Sequence, residues 1–403
     1  MKFRASWGQL GNENALGKYD FLARIASYND MYMGYVQGAG SNPWTGSIAR
    51  ALENRSLKWE TTDTKNIGFD FGLFGNHLNG NINYYLNETR DLLITRRIAP
   101  SAGLDNPTLN VGKMRNQGFE LELNWNDKIS DFEYNVGFNI STIANKVVAL
   151  ANEDQTIYGV GLKYGTEHFP TQTKVGKPIG AFYLYQADGI FQSLEEVQAH
   201  KNSKGELLQP NAQPGDVRFK DMNGDGVIDE DDKTYSGTGI AKVEANLNLG
   251  ASYKGFDFSA VIGSAFGNKL YNGIRYYYEG MNSGSNFLKT TLNAWTPTNT
   301  KTDIPRAVFG DPNQNTREST RFLENGDFVR LRQVQLGYTL PKALSKHIYC
   351  ESIRFYVSAE NVFTITGYSG ANPEFSQGVL NSGVDRFTYP FSRSYTVGAQ
   401  VSF

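Results

Sequence analysis

Apolar and polar residues alternate with a period of two through most of this chain, up to its last residue. No other feature constrains the fold as strongly. Tyr395, Val397, Ala399, Val401 and Phe403 alternate with Ser394, Thr396, Gly398, Gln400 and Ser402. Ile67, Phe69, Phe71 and Leu73 oppose Asn66, Gly68, Asp70 and Gly72, and Phe119, Leu121, Leu123 and Trp125 oppose Glu120, Glu122, Asn124 and Asn126. Phe132, Tyr134, Val136, Phe138 and Ile140 repeat the pattern, and similar runs occupy 243–254, 256–266, 326–340 and 350–361. Successive strand residues point to opposite faces, so each run is a strand with one apolar and one polar side. Aromatics at 13% and 42 glycines suit many strands joined by turns rather than helical bundles.

A soluble sandwich alternates too, with its apolar face turned inward. Connection length separates the two readings. Asp127-Lys128-Ile129-Ser130 and Lys254-Gly255 are tight turns, whereas 98–113, 145–242, 267–325 and 362–391 are long connections. Short turns on one side and long loops on the other are the layout of outer-membrane barrels, and a compact soluble domain rarely carries several such loops. The fold expected is therefore all-β, an antiparallel transmembrane β-barrel with the 145–242 connection outside the cell. A mean hydropathy of −0.46 agrees, because a barrel strand shows lipid only every second residue. No run approaches the ~18 apolar residues of a membrane helix. Trp125 and Phe403, at strand ends, suit an interfacial aromatic girdle or ordinary edge packing equally.

Strands are expected near 1–7, 19–37, 64–75, 79–97, 114–127, 130–144, 243–254, 256–266, 326–340, 350–361 and 392–403, about eleven in all. With long loops outside, the last strand descends to the periplasm. Counting back through eleven, the first descends too, which places residue 1 at the extracellular rim beside a missing neighbour. Met1-Lys2-Phe3-Arg4 runs into Ala5-Ser6-Trp7-Gly8 without a signal peptide. The expectation is the C-terminal half of a larger barrel, spanning 1–403, with the N-terminal parts absent.

Several segments resemble the SusC/RagA branch of TonB-dependent receptors. Arg4-Ala5-Ser6-Trp7-Gly8-Gln9-Leu10-Gly11-Asn12 is similar to that family's RASYGxTGN segment, and Asn293-Ala294-Trp295-Thr296-Pro297 with Ile304-Pro305-Arg306 to its WTPxN…PR loop. Phe328-Val329-Arg330-Leu331-Arg332 through Gly337-Tyr338-Thr339-Leu340-Pro341 resembles its YLRLKNLxLGYTLP strand. Asn361-Val362-Phe363, Asn372-Pro373-Glu374 and Tyr389-Pro390-Phe391-Ser392-Arg393 follow in family order. The resemblance implies a 22-stranded barrel with an N-terminal plug and TonB box, neither of which lies in this chain. It further implies uptake of oligosaccharides or peptides, a SusD-like surface lipoprotein over the mouth, energy from the TonB complex, and a Bacteroidetes-type Gram-negative outer membrane as location.

One constellation carries metal chemistry. Asp221-Met222-Asn223-Gly224-Asp225-Gly226-Val227-Ile228-Asp229-Glu230-Asp231-Asp232 reads as a calcium loop. Hard oxygen donors fall at positions 1, 3 and 5 from Asp221, Asn223 and Asp225, with Gly226 at the turn and the Val227 carbonyl at position 7. Asp229 stands at position 9, and Asp232 takes the place of the usual glutamate at position 12 with a shorter arm. The competing reading is a polar Asx-rich turn. Calcium here would order the 145–242 loop, a structural role.

Tyr276-Tyr277-Tyr278 could stack on sugar rings at the barrel mouth or simply pack a β extension. The histidines His77, His168, His200 and His347 lack metal spacing, and the single Cys350 permits no internal disulfide. Gly159-Val160-Gly161 precedes no phosphate-binding helix. No acid/base pair or nucleophile marks an enzyme. A net charge of −2 offers no field for nucleic acid. Beside the receptor stands a second reading from another class, a secreted calcium-stabilised adhesin or carbohydrate-binding β protein. It accounts for the calcium loop but not for the loop alternation or the terminal aromatic.

Overall fold

The computed structural model describes the chain apart from residues 14, 15, 17, 18, 20, 24, 29–45, 50, 51, 96, 97, 111, 151–155, 165, 283–285, 348 and 376. Its principal sheet has eleven strands. Ten run side by side in chain order, each antiparallel to the next: β1 (Lys2–Asn12), β2 (Glu60–Leu73), β3 (Leu78–Arg90), β4 (Gly112–Ile129), β5 (Phe132–Thr142), β6 (Val243–Tyr253), β7 (Phe256–Phe266), β8 (Phe328–Thr339), β9 (Ser352–Thr366) and β10 (Ser394–Ser402). The eleventh, Ala144–Leu150, continues β5 past a break at Ile143 and pairs with the start of β4. Among the described residues β1 pairs only with β2 and β10 only with β9, so the sheet is an open wall.

The described part of the expected strand over 19–37 is not in this wall. Ile25–Tyr28 pairs instead with Gly46–Ala49 in a separate two-stranded ribbon, and 29–37 lie outside the described residues. β1 pairs directly with β2, from Lys2 opposite Asp70 to Asn12 opposite Glu60. The connection after β1 is thus a further long one. β1 runs toward the long-loop side, and residue 1 sits at the short-turn end rather than at the extracellular rim. The physical reason is that alternation identifies a two-faced strand but not its partner, and a loop ribbon alternates as well as a wall strand does.

Register aligns like with like across the wall. Phe71, Gly80, Leu123, Phe138, Leu247, Ile262, Leu331 and Phe363 follow one another as cross-strand partners from β2 to β9. On the other face Asp70, Asn81, Glu122, Asn139, Asn246, Gly263, Arg330 and Thr364 do the same. Among the described residues the apolar face has no cover: Ile82 at the middle of β3 is 45% exposed and Val397 on β10 is 84% exposed. Water would penalise such a surface, at roughly 25 cal/mol for each Å² of apolar area. A bilayer would not.

The buried apolar residues lie mainly in the long connections. Leu162, Phe182, Leu184, Tyr271, Tyr276, Phe322 and Val384 form one cluster drawn from three of them. A four-stranded sheet of Ile157–Tyr158, Thr171–Thr173, Ala181–Leu184 and Thr234–Gly237 adds a layer, and the connection after β5 also carries a short helix, Leu194–Ala199. Long loops on one side of the wall therefore fold into a cap with a core of its own.

Candidate functional site

The polar face of the wall is tied together by side chains. Arg4 donates to both Asp70 oxygens at 2.7–3.0 Å and to Asn83 at 2.9 Å. Asn83 donates to Asn81, Asn81 to Glu122, and Asn124 to the other Glu122 oxygen, at 2.9, 2.9 and 3.0 Å. Asn246 donates to Asn139 at 2.9 Å across β5 and β6. Side-chain amides are both donors and acceptors, so such a face holds a hydrogen-bonded wet surface without a strong net field.

The cap closes over this face at the ends of β7, β8 and β9. Tyr271 and Asn272 form a short parallel bridge with Val384 and Asp385, joining the connection after β7 to the one after β9. The connection after β5 is fastened to the one after β7 by Asp216, which is fully buried. Its carboxylate accepts from Arg306 at 2.8 and 3.1 Å and from the Asn315 amide at 2.9 Å. Asn313 and Gln209 extend this network, both bonded to the Val217 carbonyl. A second buried cluster joins His168, Lys233 and Glu318: Lys233 donates to Glu318 and Glu230 at 2.6 Å each, and His168 contacts the other Glu318 oxygen. Burial pushes the Glu318 carboxyl up, but the His168 hydrogen bond and the Lys233 charge outweigh it and hold it below its ordinary value. For Lys233 burial pulls down, yet Glu318 and Glu230 keep the ammonium above its ordinary value. Each buried charge is thus matched, as burial requires.

The residues of the expected calcium loop fold into one closed turn. Asp221 accepts from the Gly224 and Gly226 amides at 2.6 and 2.9 Å, and Asp225 from the Val227 amide at 2.9 Å. Asn223 accepts from the Asp225 amide and donates to the Asp225 carboxylate, both at 2.9 Å. Asp229 caps the short 3-10 turn Glu230–Asp232. Asp232 is buried and reaches back to the Met222 and Asp229 amides at 2.6 and 2.8 Å, stitching the loop's end to its start. Gly226 has φ +91°, a conformation few other residues adopt without strain. Among the described residues no three His, Cys, Asp or Glu side chains gather as a metal cage. The donor set is mixed, with Asn223 and the Val227 carbonyl beside the carboxylates, and each carboxylate oxygen that accepts one amide retains a second lone pair. Its hard-oxygen chemistry fits calcium.

The three tyrosines singled out in sequence do not form one face. Tyr276 is 1% exposed and packs among Tyr271, Phe322 and His168. Tyr277 packs on Phe387, as does Tyr278, which keeps 36% of its surface. Tyr276 therefore belongs to the cap core, and only Tyr278 presents a substantial surface outward. A cleft of about 610 Å³ is lined by Asn272, Arg275, Glu279, Asp303, Glu324 and Ser369 among others. A second cavity, of about 380 Å³, lies where the cap meets the polar face at Glu244, Asn246, Ser264, Phe328, Arg332 and Glu374.

A family model described as TonB dependent receptor-like, beta-barrel matches residues 2–362. The chain belongs to that family. Within it the chain is SusC/RagA-like. It is 29% identical over 411 residues to TonB-dependent receptor P3 of Formosa agariphila, covering 100% of this chain and 39% of that protein. To TonB-dependent receptor SusC of Bacteroides thetaiotaomicron it is 27% identical over 414 residues, covering 100% of this chain and 37% of SusC. The solved RagAB peptide transporter superposes with a TM-score of 0.78 at 25% identity, covering 100% of this chain and 40% of that one. The chain thus spans about two fifths of the length of these receptors. A wall with an apolar outer face, a polar inner face and a loop cap on one side is part of a TonB-dependent receptor barrel.

Proposed function

We propose that this chain is the C-terminal part of an outer-membrane importer, taking up oligosaccharides or peptides with energy from the TonB complex. The observation that carries the reading is the uncovered apolar face backed by a continuous polar row, closed on one side by a folded cap. Lipid would wet the first and cargo would pass along the second. The remaining strands of the larger barrel would pair the free edges of β1 and β10, since unpaired backbone is costly in lipid. A SusD-like lipoprotein would sit on the cap, and the RagAB relative, a peptide transporter, supports peptides as cargo. The uncovered apolar face speaks against the secreted adhesin, which would have to turn that face inward.

Deleting the complete receptor is expected to abolish uptake of at least one member of a panel of fluorescent maltooligosaccharides, β-glucan oligosaccharides and tryptic peptides. Complementation should restore it, and a protonophore should block it. Unchanged uptake of every member would remove the import reading.

The 221–232 loop is proposed to bind Ca²⁺ through Asp221, Asn223, Asp225, the Val227 carbonyl, Asp229 and Asp232. Occupancy would order the connection after β5, the carboxylate cluster being neutralised as the backbone is fixed. With the short Asp232 arm, affinity on the order of 10⁻⁴–10⁻³ M is expected, the range of extracellular modules. Calorimetry on the complete receptor should detect this binding and find it lost in Asp225→Ala. Chelation should speed proteolysis within 221–232 in the wild type and leave the variant unchanged. Equal proteolysis with and without calcium would return the loop to a plain Asx-rich turn.

A further inference from the structure

Where β8 passes beneath the cap, its alternation breaks. Arg332 and Gln333 are consecutive polar residues, and the register between β7 and β8 slips there: Val261 faces Gln333 while Ile262 faces Leu331. A bulge places two residues of one strand opposite one of its neighbour. Arg332 lies on the same polar side as Arg330, as strand residues two apart do, and the bulge brings Gln333 to that side too. Arg332 lies over Gly263, where an added Cβ would lie 2.1 Å from the Arg332 Nε. The missing side chain at Gly263 is what makes room for the second guanidinium.

Both arginines hold one carboxylate from the connection after β9. Glu374 accepts from Arg330 at 2.8 Å and from Arg332 at 2.9 and 3.2 Å. Arg330 also donates to Thr364 on the wall at 2.8 Å and to Asn372 at 2.5 Å, and its guanidinium lies over the Phe391 ring at 5.0 Å. Asn372 and Glu374 are tied to each other by a 3.1 Å bond from the Glu374 amide, so the turn is shaped before it docks. The start of the same connection is fastened to the cap, where Glu324 receives the Ser369 amide and hydroxyl at 2.7 and 2.8 Å. Among the described residues, the only hydrogen bonds tying 371–375 to the wall are those to the two arginines. The cavity of about 380 Å³ lies behind this contact and opens the polar face at Glu244 and Asn246.

We propose that Glu374, gripped by Arg330 and Arg332, is the bolt of a latch that holds residues 371–375 closed over the polar face. Releasing it opens that face to the outside. The two grips are unequal. Arg330 is buried and anchored to the wall, while the Arg332 and Glu374 side chains remain 38% and 31% exposed. Solvent or a bound molecule reaches the second pair first, and the latch yields from that side. A two-state closure shifts only by the contacts that differ between its states; here those contacts are the Glu374 bonds. The latch gives the import reading its control point, yet it is measured without any cargo.

The test uses the complete receptor in intact cells, with Cys350→Ser as background and Asn246→Cys as reporter behind the latch. A membrane-impermeant maleimide is expected to label Cys-substituted 246 slowly when Glu374 is present. Glu374→Gln should raise the labelling rate by ~10-fold or more, the effect of a population shift of about 1.4 kcal/mol. Arg332→Leu should raise it too, and the double variant should label no faster than Glu374→Gln alone, because both remove one interaction. Heat-modifiable migration on gels checks that each barrel has assembled, and Ala265→Cys is the second reporter should Asn246→Cys fail that check. Equal labelling rates in all four backgrounds overturn the latch. A receptor that labels as expected but imports no member of the panel keeps the latch and removes the import reading instead.

Discussion

Arg306→Ala is expected to unfasten the cap while leaving the wall assembled. Asp216 is fully buried, and Arg306 supplies two of the hydrogen bonds to its carboxylate. Without the guanidinium, the Asn315 amide at 2.9 Å and the Gln213 backbone amide at 2.8 Å remain, and neither carries a charge. Removing one partner of a buried ion pair costs about 3–5 kcal/mol, since the other charge is stranded away from water. The carboxylate can regain water only by separating the connection after β5 from the one after β7. Amide exchange in 209–219 and 311–318 should accelerate by two orders of magnitude or more, on the order of 3 kcal/mol of lost protection at 1.4 kcal/mol per factor of ten. Peptides from β3 to β5 should be unchanged. Arg306→Ala combined with Asp216→Asn should recover much of the loss, because the neutral amide no longer needs a cation. A double variant as unprotected as Arg306→Ala would show that geometry, not charge, makes this joint.

That joint also marks the limit of what the sequence reveals. Period-two alternation reports which side of a strand each residue takes, and it located the wall strands from 64 onward along with the long connections between them. It could not report partners. The 19–37 segment alternates, yet Ile25–Tyr28 pairs with Gly46–Ala49 and leaves β1 to bond β2. That single displaced strand reversed the direction read for β1. The Asp221–Asp232 segment closes as a turn at Gly226, which its neighbours in sequence set, and its metal occupancy is a separate question. Tyr276, by contrast, looked like its neighbours Tyr277 and Tyr278. A six-residue helix, Gly273–Tyr278, points it into the aromatic cluster and Tyr278 away. Asp216 and Arg306 are 90 residues apart, and Arg332 and Glu374 are 42 apart. The resemblance to SusC-like receptors flagged the segments holding both arginines and Glu374 without saying what they grip. Only the Arg332-Gln333 break in the alternation hinted at the bulge, and a bulge says nothing about the loop that docks on it.

Ile82→Arg is expected to block barrel assembly, where Asn83→Ala should be tolerated. Ile82 lies at the middle of β3 on the apolar face, between Phe69 and Leu121, and is 45% exposed. If water were the solvent on that face, an arginine there would be as good as any surface arginine, and large exposed apolar side chains would be the anomaly. If lipid is the solvent, the guanidinium costs about 2–4 kcal/mol near the midplane of a barrel. That cost falls on a wall whose neighbouring rows are already apolar, so no nearby carboxylate can offset it. Asn83 on the opposite face bonds Arg4 and Asn81 at 2.9 Å each, and its loss costs only those bonds, because water can replace them in a wet lumen. Heat-modifiable migration of the complete receptor from isolated membranes reads the contrast directly. Assembly lost in Ile82→Arg and kept in Asn83→Ala identifies lipid as the partner of the apolar face. Full assembly of Ile82→Arg would mean that this face meets water or another polar surface, and the placement of the wall in the membrane would fall with it.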